Sequence, residues 1–230
     1  MITTLGLDAD DTLWHNETIF RLTHERFCDL LAPYAARDDL LSRLSAVERR
    51  NLSLYGYGVK GFTLSMIETT MELTDGQAAS SVIREILAAG RDMLAHPVEA
   101  LPEVEATLAV LSERYRLVLI TKGDLLHQEQ KLAASGLGDL FAAVEIVSEK
   151  DRATYERVFD RHGTGAAQAV MCGNSMRSDI LPAIEAGAYA AHVPYVVTWE
   201  HEMADAPVDN PRFAELPSIA DLPDWIAKIS

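Results

Sequence analysis

Residues 2–13 read ITTLGLDADDTL, a short apolar stretch followed by three aspartates and a threonine. The apolar half is typical of a buried strand, because strands covered on both faces of a parallel sheet are almost continuously apolar. Ligands of open parallel sheets bind beyond the carboxyl ends of the strands, and Asp8, Asp10 and Asp11 follow such an end. The stretch therefore predicts an α/β core and the position of its binding site.

The carboxyl-terminal part of the chain alternates short apolar runs with helical patterns. Strands are predicted at 116–121, 143–147, 168–172 and 189–193, and helices at 102–114, 125–135, 151–162, 179–187 and near 221–229. Strands that alternate with helices at this spacing indicate a parallel sheet covered on both faces. The predicted fold class is α/β, with a Rossmann-like doubly wound parallel sheet as the core.

A long segment after the first strand interrupts this alternation and contains no convincing strand. Its amphipathic helical patterns lie at about 16–35, 38–54 and 63–94, with a break near 74–76. We therefore predict an α-helical domain inserted into the α/β core. The predicted domains are a core formed by 1–13 and 98–230 and an insertion formed by 14–97.

Residues 54–62 are predicted to form a loop between two of the inserted helices, because they contain three glycines and three aromatic residues. Lys60 is the only lysine between residues 14 and 97. The loop is either a flexible connection or a segment that contacts a ligand through Tyr57 and Lys60.

Composition and charge limit the classes of partner. The 230 residues carry 35 acidic and 20 basic side chains, a formal net charge of −15, and no basic patch, so a nucleic acid polymer is not expected as a partner. No apolar run approaches the roughly 20 residues that span a bilayer, so no membrane association is expected. The amino terminus lacks a signal pattern, and Cys28 and Cys172 are far apart, which favours a reduced, cytoplasmic setting.

The aspartates after the first strand need a positive partner. Three carboxylates in four positions repel one another unless a cation or a proton lies between them. A hard divalent cation is the simplest solution, and Mg²⁺ is expected if phosphate is its other ligand. An acidic turn that caps a helix explains Asp10, Asp11 and Thr12 almost as well when this segment is taken alone.

The other predicted strand ends decide between these two interpretations. Thr121 precedes a tight turn into a helix, where a hydroxyl and exposed N–H groups suit a phosphate. Lys150 follows the strand 143–147 and can neutralise a nucleophile and a phosphoryl group. Asn174 and Asp179 follow the strand 168–172 and offer two more oxygen ligands. Complementary groups at four strand ends of one sheet indicate a phosphate and metal site.

These motifs resemble those of the haloacid dehalogenase superfamily, whose pattern is Asp-x-Asp-x-Thr, then Ser/Thr, then Lys, then a Gly-Asp-x-x-x-x-Asp-like acidic motif. The resemblance implies that Asp8 is the nucleophile, that Asp10 is the general acid and base, and that the insertion is the helical cap of that superfamily. The other implied roles are phosphoryl binding by Thr121 and Lys150 and Mg²⁺ binding by Asp8, Asp10, Asn174 and Asp179. Candidate residues for substrate binding are Thr12, Lys122, Gly123, Tyr57 and Lys60.

The function predicted from these residues is magnesium-dependent hydrolysis of a small phosphate ester through an aspartyl-phosphate intermediate. Asn174 departs from the pattern, which usually has an aspartate there, and a non-catalytic relative that binds a phosphorylated ligand or a protein partner remains an alternative. Haloacid dehalogenases and phosphonate hydrolases of the superfamily lack the second aspartate, so Asp10 argues against both. Mutase activity stays open, and neither the substrate nor the oligomeric state is readable from the sequence.

Overall fold

The computed structural model describes residues 1–229. Its sheet has six parallel strands in the order β3-β2-β1-β4-β5-β6. The strands are β1 (Thr4–Leu7), β2 (Arg116–Lys122), β3 (Ala143–Val147), β4 (Ala169–Gly173), β5 (Tyr189–His192) and β6 (Phe213–Glu215). Because the order reverses between β1 and β4, the carboxyl end of β1 lies at the switch point where ligands of such sheets bind. The predicted fold class is therefore confirmed.

The helices follow the predicted alternation closely. They are α1 (Glu17–Leu31), α2 (Arg37–Tyr55), α3 (Val59–Leu73), α4 (Ser80–Leu94), α5 (Val104–Ser112), α6 (Leu125–Ser135), α7 (Arg152–His162), α8 (Leu181–Glu185) and α9 (Leu222–Ile229). The helix predicted at 179–187 is only partly right, because a π-helical turn, Met176–Ile180, precedes α8. Among the described residues, no helix has both the length and the apolar composition needed to cross a membrane.

The sheet is covered on both faces, as the apolar runs predict. Leu5 and Leu7 of β1 pack in a cluster with residues of α5 and α9, including Leu108 and Ile226. A second cluster joins residues of β2 and β4 to the aromatic side chains of α7. β6 was not predicted, because its three residues, FAE, carry no apolar run of their own and pair only with β5.

The chain divides into two compact units. The first contains the sheet and consists of Met1–Glu17, Val98–Lys122 and the residues from Gln128 onward. The second consists of Thr18–Pro97, which contains α2 to α4 and most of α1, together with Gly123–His127. Its own apolar core includes Phe27, Leu44, Phe62 and Met66. The assignment of residues 14–97 as a functional cap stays a prediction.

The prediction of a loop at 54–62 is correct only for the centre of that segment. α2 continues to Tyr55 and α3 begins at Val59, so only residues 56–58 connect the two helices, and Lys60 lies on α3. Glycine usually disfavours a helix interior, but at Gly61 it is required by a close approach. A Cβ atom there would lie 2.8 Å from the carbonyl oxygen of Gly56.

Candidate active site

The predicted catalytic residues of the first unit lie beyond the carboxyl ends of neighbouring strands. Asp8 directly follows β1, and its N–H donates to the carbonyl oxygen of Cys172 on β4 at 2.9 Å. Thr121 lies near the end of β2, and Lys150 follows β3. The turn 174–179 follows β4. The sheet order therefore places these motifs side by side, as expected for parallel strands.

Lys150 joins two carboxylates of this site. Its buried ammonium group contacts Asp8 Oδ1 and lies 2.7 Å from Asp179 Oδ1. Burial opposes a charged lysine, but the Asp179 and Asp8 carboxylates raise the pKa of Lys150 above its ordinary value. Burial and the neighbouring Asp179 charge raise the pKa of Asp8 to about 7, although Lys150 opposes that rise. The Lys150 ammonium group is thus shared between two carboxylates.

Asp10 has a different set of partners. Its carboxylate contacts the Lys131 ammonium group and accepts the indole N–H of Trp14 at 2.6 Å and the side-chain amide N–H of Gln128 at 3.1 Å. Burial would raise the pKa of Asp10, but the charge and hydrogen bond of Lys131, with the donors of Trp14 and Gln128, hold it below its ordinary value. Asp10 is therefore ionised in the resting site.

Lys131 and Gln128 were not predicted from the sequence as residues of this site. Both lie on α6, three residues apart, and so share a helix face. The Gln128 amide N–H group also lies 2.7 Å from the Thr121 hydroxyl oxygen, so this residue links the second and first motifs. Leu132, one helical turn after Gln128, packs against the apolar core. Gln128 and Lys131 are spaced so that they lie on the same side of α6 as the core residue Leu132. This spacing is the sequence signal that could have identified the helix face that contacts the site.

The turn after β1 is held by its own polar side chains. The Thr12 hydroxyl donates to Asp8 Oδ2 at 3.0 Å and accepts the backbone N–H of Asn174 at 3.1 Å. Asp11 has a φ of 62° and accepts the N–H groups of Asn16 and Glu17, where α1 begins. Burial raises the pKa of Asp11 to about 7, although the Glu17 N–H favours its ionised form. In this structure Thr12 contacts Asp8, and its predicted role in substrate binding stays a prediction.

The acidic motif forms a tight turn. Asp179 Oδ2 accepts the N–H of Ser175 at 2.9 Å, and the Ser175 hydroxyl oxygen accepts the N–H of Ser178 at 2.9 Å. Gly173 makes room for this arrangement, because a Cβ atom there would lie 2.3 Å from Asp179 Oδ2. The Tyr155 hydroxyl, on α7, donates to the Ser178 carbonyl oxygen at 2.9 Å. Both oxygens of Asp179 are thus engaged by protein groups.

Glu202 is a further, half-buried carboxylate, which the sequence did not predict. It accepts hydrogen bonds from Lys122 at 2.7 Å, from Ser178 at 2.5 Å and from Ser175. Burial would raise the pKa of Glu202, but Lys122 and the two serines lower it to about 2. Lys122 is therefore joined to the turn 174–179 by hydrogen bonds with Ser178 and Glu202. Its predicted contact with substrate stays a prediction.

The oxygen atoms around Asn174 fit a small divalent cation. Its side-chain oxygen position lies 3.3 Å from Asp8 Oδ2 and 3.2 Å from the Asp10 carbonyl oxygen. Octahedral Mg²⁺ binds oxygen at about 2.1 Å, which puts adjacent ligands about 3 Å apart. No group of three or more His, Cys, Asp or Glu side chains in the described part of the chain is arranged to hold a metal. The fit thus rests on one carboxylate, one amide and one peptide oxygen, and metal binding by Asp179 stays a prediction.

The remaining candidates, Tyr57, Lys60 and Gly123, belong to the second unit. In the second unit, Lys60 forms an exposed ion pair with Asp124 at 2.9 Å. A Cβ atom on Gly58 would lie 3.5 Å from the Asp124 backbone nitrogen and 4.0 Å from the Gly123 Cα, which is ordinary van der Waals contact. Tyr57 lies in the short connection between α2 and α3. Their roles in substrate binding stay predictions.

A family model of haloacid dehalogenase-like hydrolases matches residues 2–187. The chain belongs to this family of hydrolases. A haloacid dehalogenase-like family hydrolase of Xanthomonas campestris is 42% identical, with a TM-score of 0.88 over 99% of this chain and 91% of that one. A comparison with functionally curated proteins finds no match.

More distant structures share the fold of this hydrolase. A 2-haloacid dehalogenase of Pseudomonas syringae pv. tomato is 24% identical, with a TM-score of 0.64 and complete coverage of both chains, 100% each. A protein described as a predicted phosphoglycolate phosphatase, from Haemophilus somnus, is 16% identical, with a TM-score of 0.65 over 98% of each chain. The shared fold therefore does not decide which bond this hydrolase cleaves.

Proposed function

We propose that this hydrolase releases phosphate from a small phosphorylated metabolite, with Asp8 as nucleophile and Mg²⁺ as cofactor. The observation that carries the proposal is the Asp10 carboxylate, which Lys131, Trp14 and Gln128 hold by direct contacts two residues from Asp8. A fixed carboxylate base is what hydrolysis of an acyl phosphate needs. Expulsion of a halide needs no proton transfer to the leaving atom, so Asp10 favours the phosphatase reaction.

The first step would form the aspartyl phosphate. A carboxylate oxygen of Asp8 attacks phosphorus, and the bond between phosphorus and the ester oxygen breaks. The Lys150 ammonium group and the Thr121 hydroxyl would stabilise the charge on the phosphoryl oxygens. A bound Mg²⁺, held by Asp8, the Asp10 carbonyl and Asn174, would supply further neutralisation of that charge.

The second step would return Asp8 to its free carboxylate. Water attacks phosphorus, Asp10 takes a proton from that water, and phosphate leaves. Lys131, Trp14 and Gln128 hold the Asp10 carboxylate in place and favour its ionised form, which is the form that can accept this proton. Asp10 must carry a proton to assist the leaving oxygen in the first step, and Lys131 opposes that protonation. Aryl phosphates, whose phenolate leaves with little protonation, are therefore the first substrates to test.

A substrate screen tests the proposal. Phosphate release is measured over p-nitrophenyl phosphate and a panel of phosphorylated metabolites, with Mg²⁺ or with chelator, for the wild type and Asp8→Asn. Halide release from 2-chloropropionate is measured in parallel. We expect phosphate release that needs both Mg²⁺ and Asp8. Halide release without phosphate release would establish a dehalogenase instead, and no release of either product from folded protein would favour a binding role.

A further inference from the structure

The side-chain amide of Gln128 makes its contacts through the nitrogen atom. That nitrogen lies 2.7 Å from the Thr121 hydroxyl oxygen, 2.7 Å from the Lys122 carbonyl oxygen and 3.1 Å from Asp10 Oδ2. The Lys122 carbonyl and the ionised Asp10 carboxylate can only accept hydrogen bonds, so the nitrogen of the amide must face them. The contacts themselves therefore fix the orientation of this amide.

The amide oxygen of Gln128 has no donor. The residue is only 3% exposed, and its Oε1 atom is buried without a hydrogen-bond partner among residues 1–229. A buried acceptor without a donor is unfavourable, and an apolar side chain of similar length would avoid that cost. The favourable contribution of a glutamine at this position therefore comes from its NH₂ group.

The Gln128 NH₂ group determines what the Thr121 hydroxyl can do. A threonine hydroxyl has one hydrogen to donate and lone pairs that accept. Its oxygen accepts an N–H of Gln128, and its hydrogen is donated to the Lys122 carbonyl oxygen at 3.2 Å. That carbonyl also accepts the Gln128 amide at the shorter distance of 2.7 Å. The carbonyl therefore keeps a donor when the hydroxyl hydrogen turns to another acceptor.

We propose that Gln128 is a positioning residue that makes the Thr121 hydroxyl hydrogen available to a phosphoryl oxygen. Gln128 occupies the accepting side of the hydroxyl and supplies a donor to the Lys122 carbonyl, so the single hydrogen of Thr121 can be donated to the substrate. Gln128 acts through Thr121 and needs no contact with the substrate. The inference rests on the proposed function, in which Thr121 binds the phosphoryl group.

A double-mutant cycle on phosphate binding tests the inference without turnover. The dissociation constant of inorganic phosphate in Mg²⁺ is measured by calorimetry for the wild type, Gln128→Met, Thr121→Val and the double variant. Gln128→Met alone is expected to weaken phosphate binding about tenfold, because the hydroxyl is no longer directed. In the Thr121→Val background, which has no hydroxyl to direct, the same substitution should weaken binding by less than about twofold. In the Thr121→Ser background, which keeps a hydroxyl, the loss should again be about tenfold.

Two further variants separate this role from a structural one. Gln130→Met is the matched control, because Gln130 is an exposed residue of the same helix, and it should bind phosphate as the wild type does. Gln128→Met is expected to unfold at a temperature close to that of the wild type, since it loses the unsatisfied acceptor together with the donors. If methionine does not fit, the cycle is repeated with Gln128→Ala.

The outcomes distinguish this inference from the proposed function. Equal losses with and without the Thr121 hydroxyl would overturn the inference, because Gln128 would then act through the packing of α6 or through Asp10. Unchanged phosphate binding in the Gln128 variants, or a wild type that binds no phosphate, would overturn it as well. A protein that hydrolyses phosphate esters without this coupling loses the inference alone. A protein that shows the coupling but hydrolyses no ester loses only the proposed function.

Discussion

Two aspartate–lysine pairs occupy the end of β1, and they differ in charge. Asp8 shares Lys150 with Asp179, and its pKa is raised to about 7. Asp10 is paired with Lys131, whose other contact within residues 1–229 is to an amide oxygen rather than to a second carboxylate. Asp10 also accepts hydrogen bonds from Trp14 and Gln128, and its pKa is lowered. Both carboxylates lie within three positions of the chain. The number of donors and charges around each carboxylate, rather than the presence of a lysine, therefore decides its protonation.

This difference matches two roles. Asp8, the nucleophile of the proposed mechanism, lies close to another negative charge, that of Asp179, and a bound cation would reduce the repulsion between them. Asp10, the proposed base, accepts contacts from three donors, which favour its ionised form. The surroundings of Asp8 therefore favour the binding of an additional cation, whereas the Asp10 carboxylate is already satisfied by protein groups.

The largest expected effect distinguishes the two lysines. Lys150→Met leaves Asp8 and Asp179 buried without their shared cation, so we expect a loss of about 3–5 kcal/mol in the free energy of unfolding in chelator. We expect kcat/KM for the substrate found in the screen to fall on the order of a thousandfold. Lys131→Met, the matched control, should lower kcat/KM by only about tenfold at alkaline pH, where Asp10 is ionised without help. Equal losses of kcat/KM and of stability for Lys150→Met and Lys131→Met would show that the two lysines do not differ in role.

A second effect follows from the opposite pKa shifts. Asp8 has a higher pKa in the folded chain than its ordinary value of 3.8, so its contribution to stability declines as the pH rises towards about 7. Asp8→Asn removes that decline and should raise the free energy of unfolding at pH 8 in chelator, by about 2–4 kcal/mol. The gain should shrink at pH 5.

The matched variant should behave in the opposite way. The pKa of Asp10 is lowered on folding, so its contribution to stability is present above its ordinary value of 3.8 and is lost only as the pH falls below it. Asp10→Asn leaves Lys131 without its counter-charge and should lower the free energy of unfolding at both pH 5 and pH 8. Denaturant unfolding at the two pH values measures both variants. If Asp8→Asn and Asp10→Asn shift the free energy of unfolding at pH 8 in the same direction, the two aspartates do not have opposite pKa shifts.

The smallest expected effect extends the comparison to Glu202 and Lys122. Glu202→Gln keeps an acceptor for Lys122 but removes the charge, so we expect a loss of about 2 kcal/mol at pH 7. The pKa of Glu202 is lowered to about 2, so this loss should shrink as the pH falls from 4.5 towards 2. Lys122→Met in the same background should add little further loss. Denaturant unfolding of both single variants and the double variant measures the coupling, and strictly additive losses would show that no coupling exists.

The sequence predicted the residues that lie at strand ends. Asp8, Thr121, Lys150 and Asn174 each follow a short apolar run, and the order of a parallel sheet brings such positions together. Their position needed only the recognition of strands. This part of the site depends on local sequence and on a general rule of topology.

The residues that the sequence did not predict depend on packing. Lys131 reaches Asp10 because one face of α6 turns towards the sheet, and Glu202 belongs to a segment with little regular structure. The contacts of Lys131 and Glu202 join distant parts of the chain, which hydrophobic periodicity does not report. The connection between α2 and α3 is shorter than predicted, and Gly61 lies inside α3, where the close approach of the Gly56 carbonyl oxygen leaves no room for a Cβ atom.

The most direct test of the account is to trap the covalent intermediate. Asp10→Asn is mixed with Mg²⁺ and p-nitrophenyl phosphate, quenched in acid and digested, and the peptides are examined by mass spectrometry. Because water attack needs the base that this variant lacks, we expect a phosphoryl adduct on Asp8 to accumulate, and to be absent from Asp8→Asn. Turnover by the wild type with no adduct in Asp10→Asn, or an adduct on another residue, would contradict Asp8 as the nucleophile.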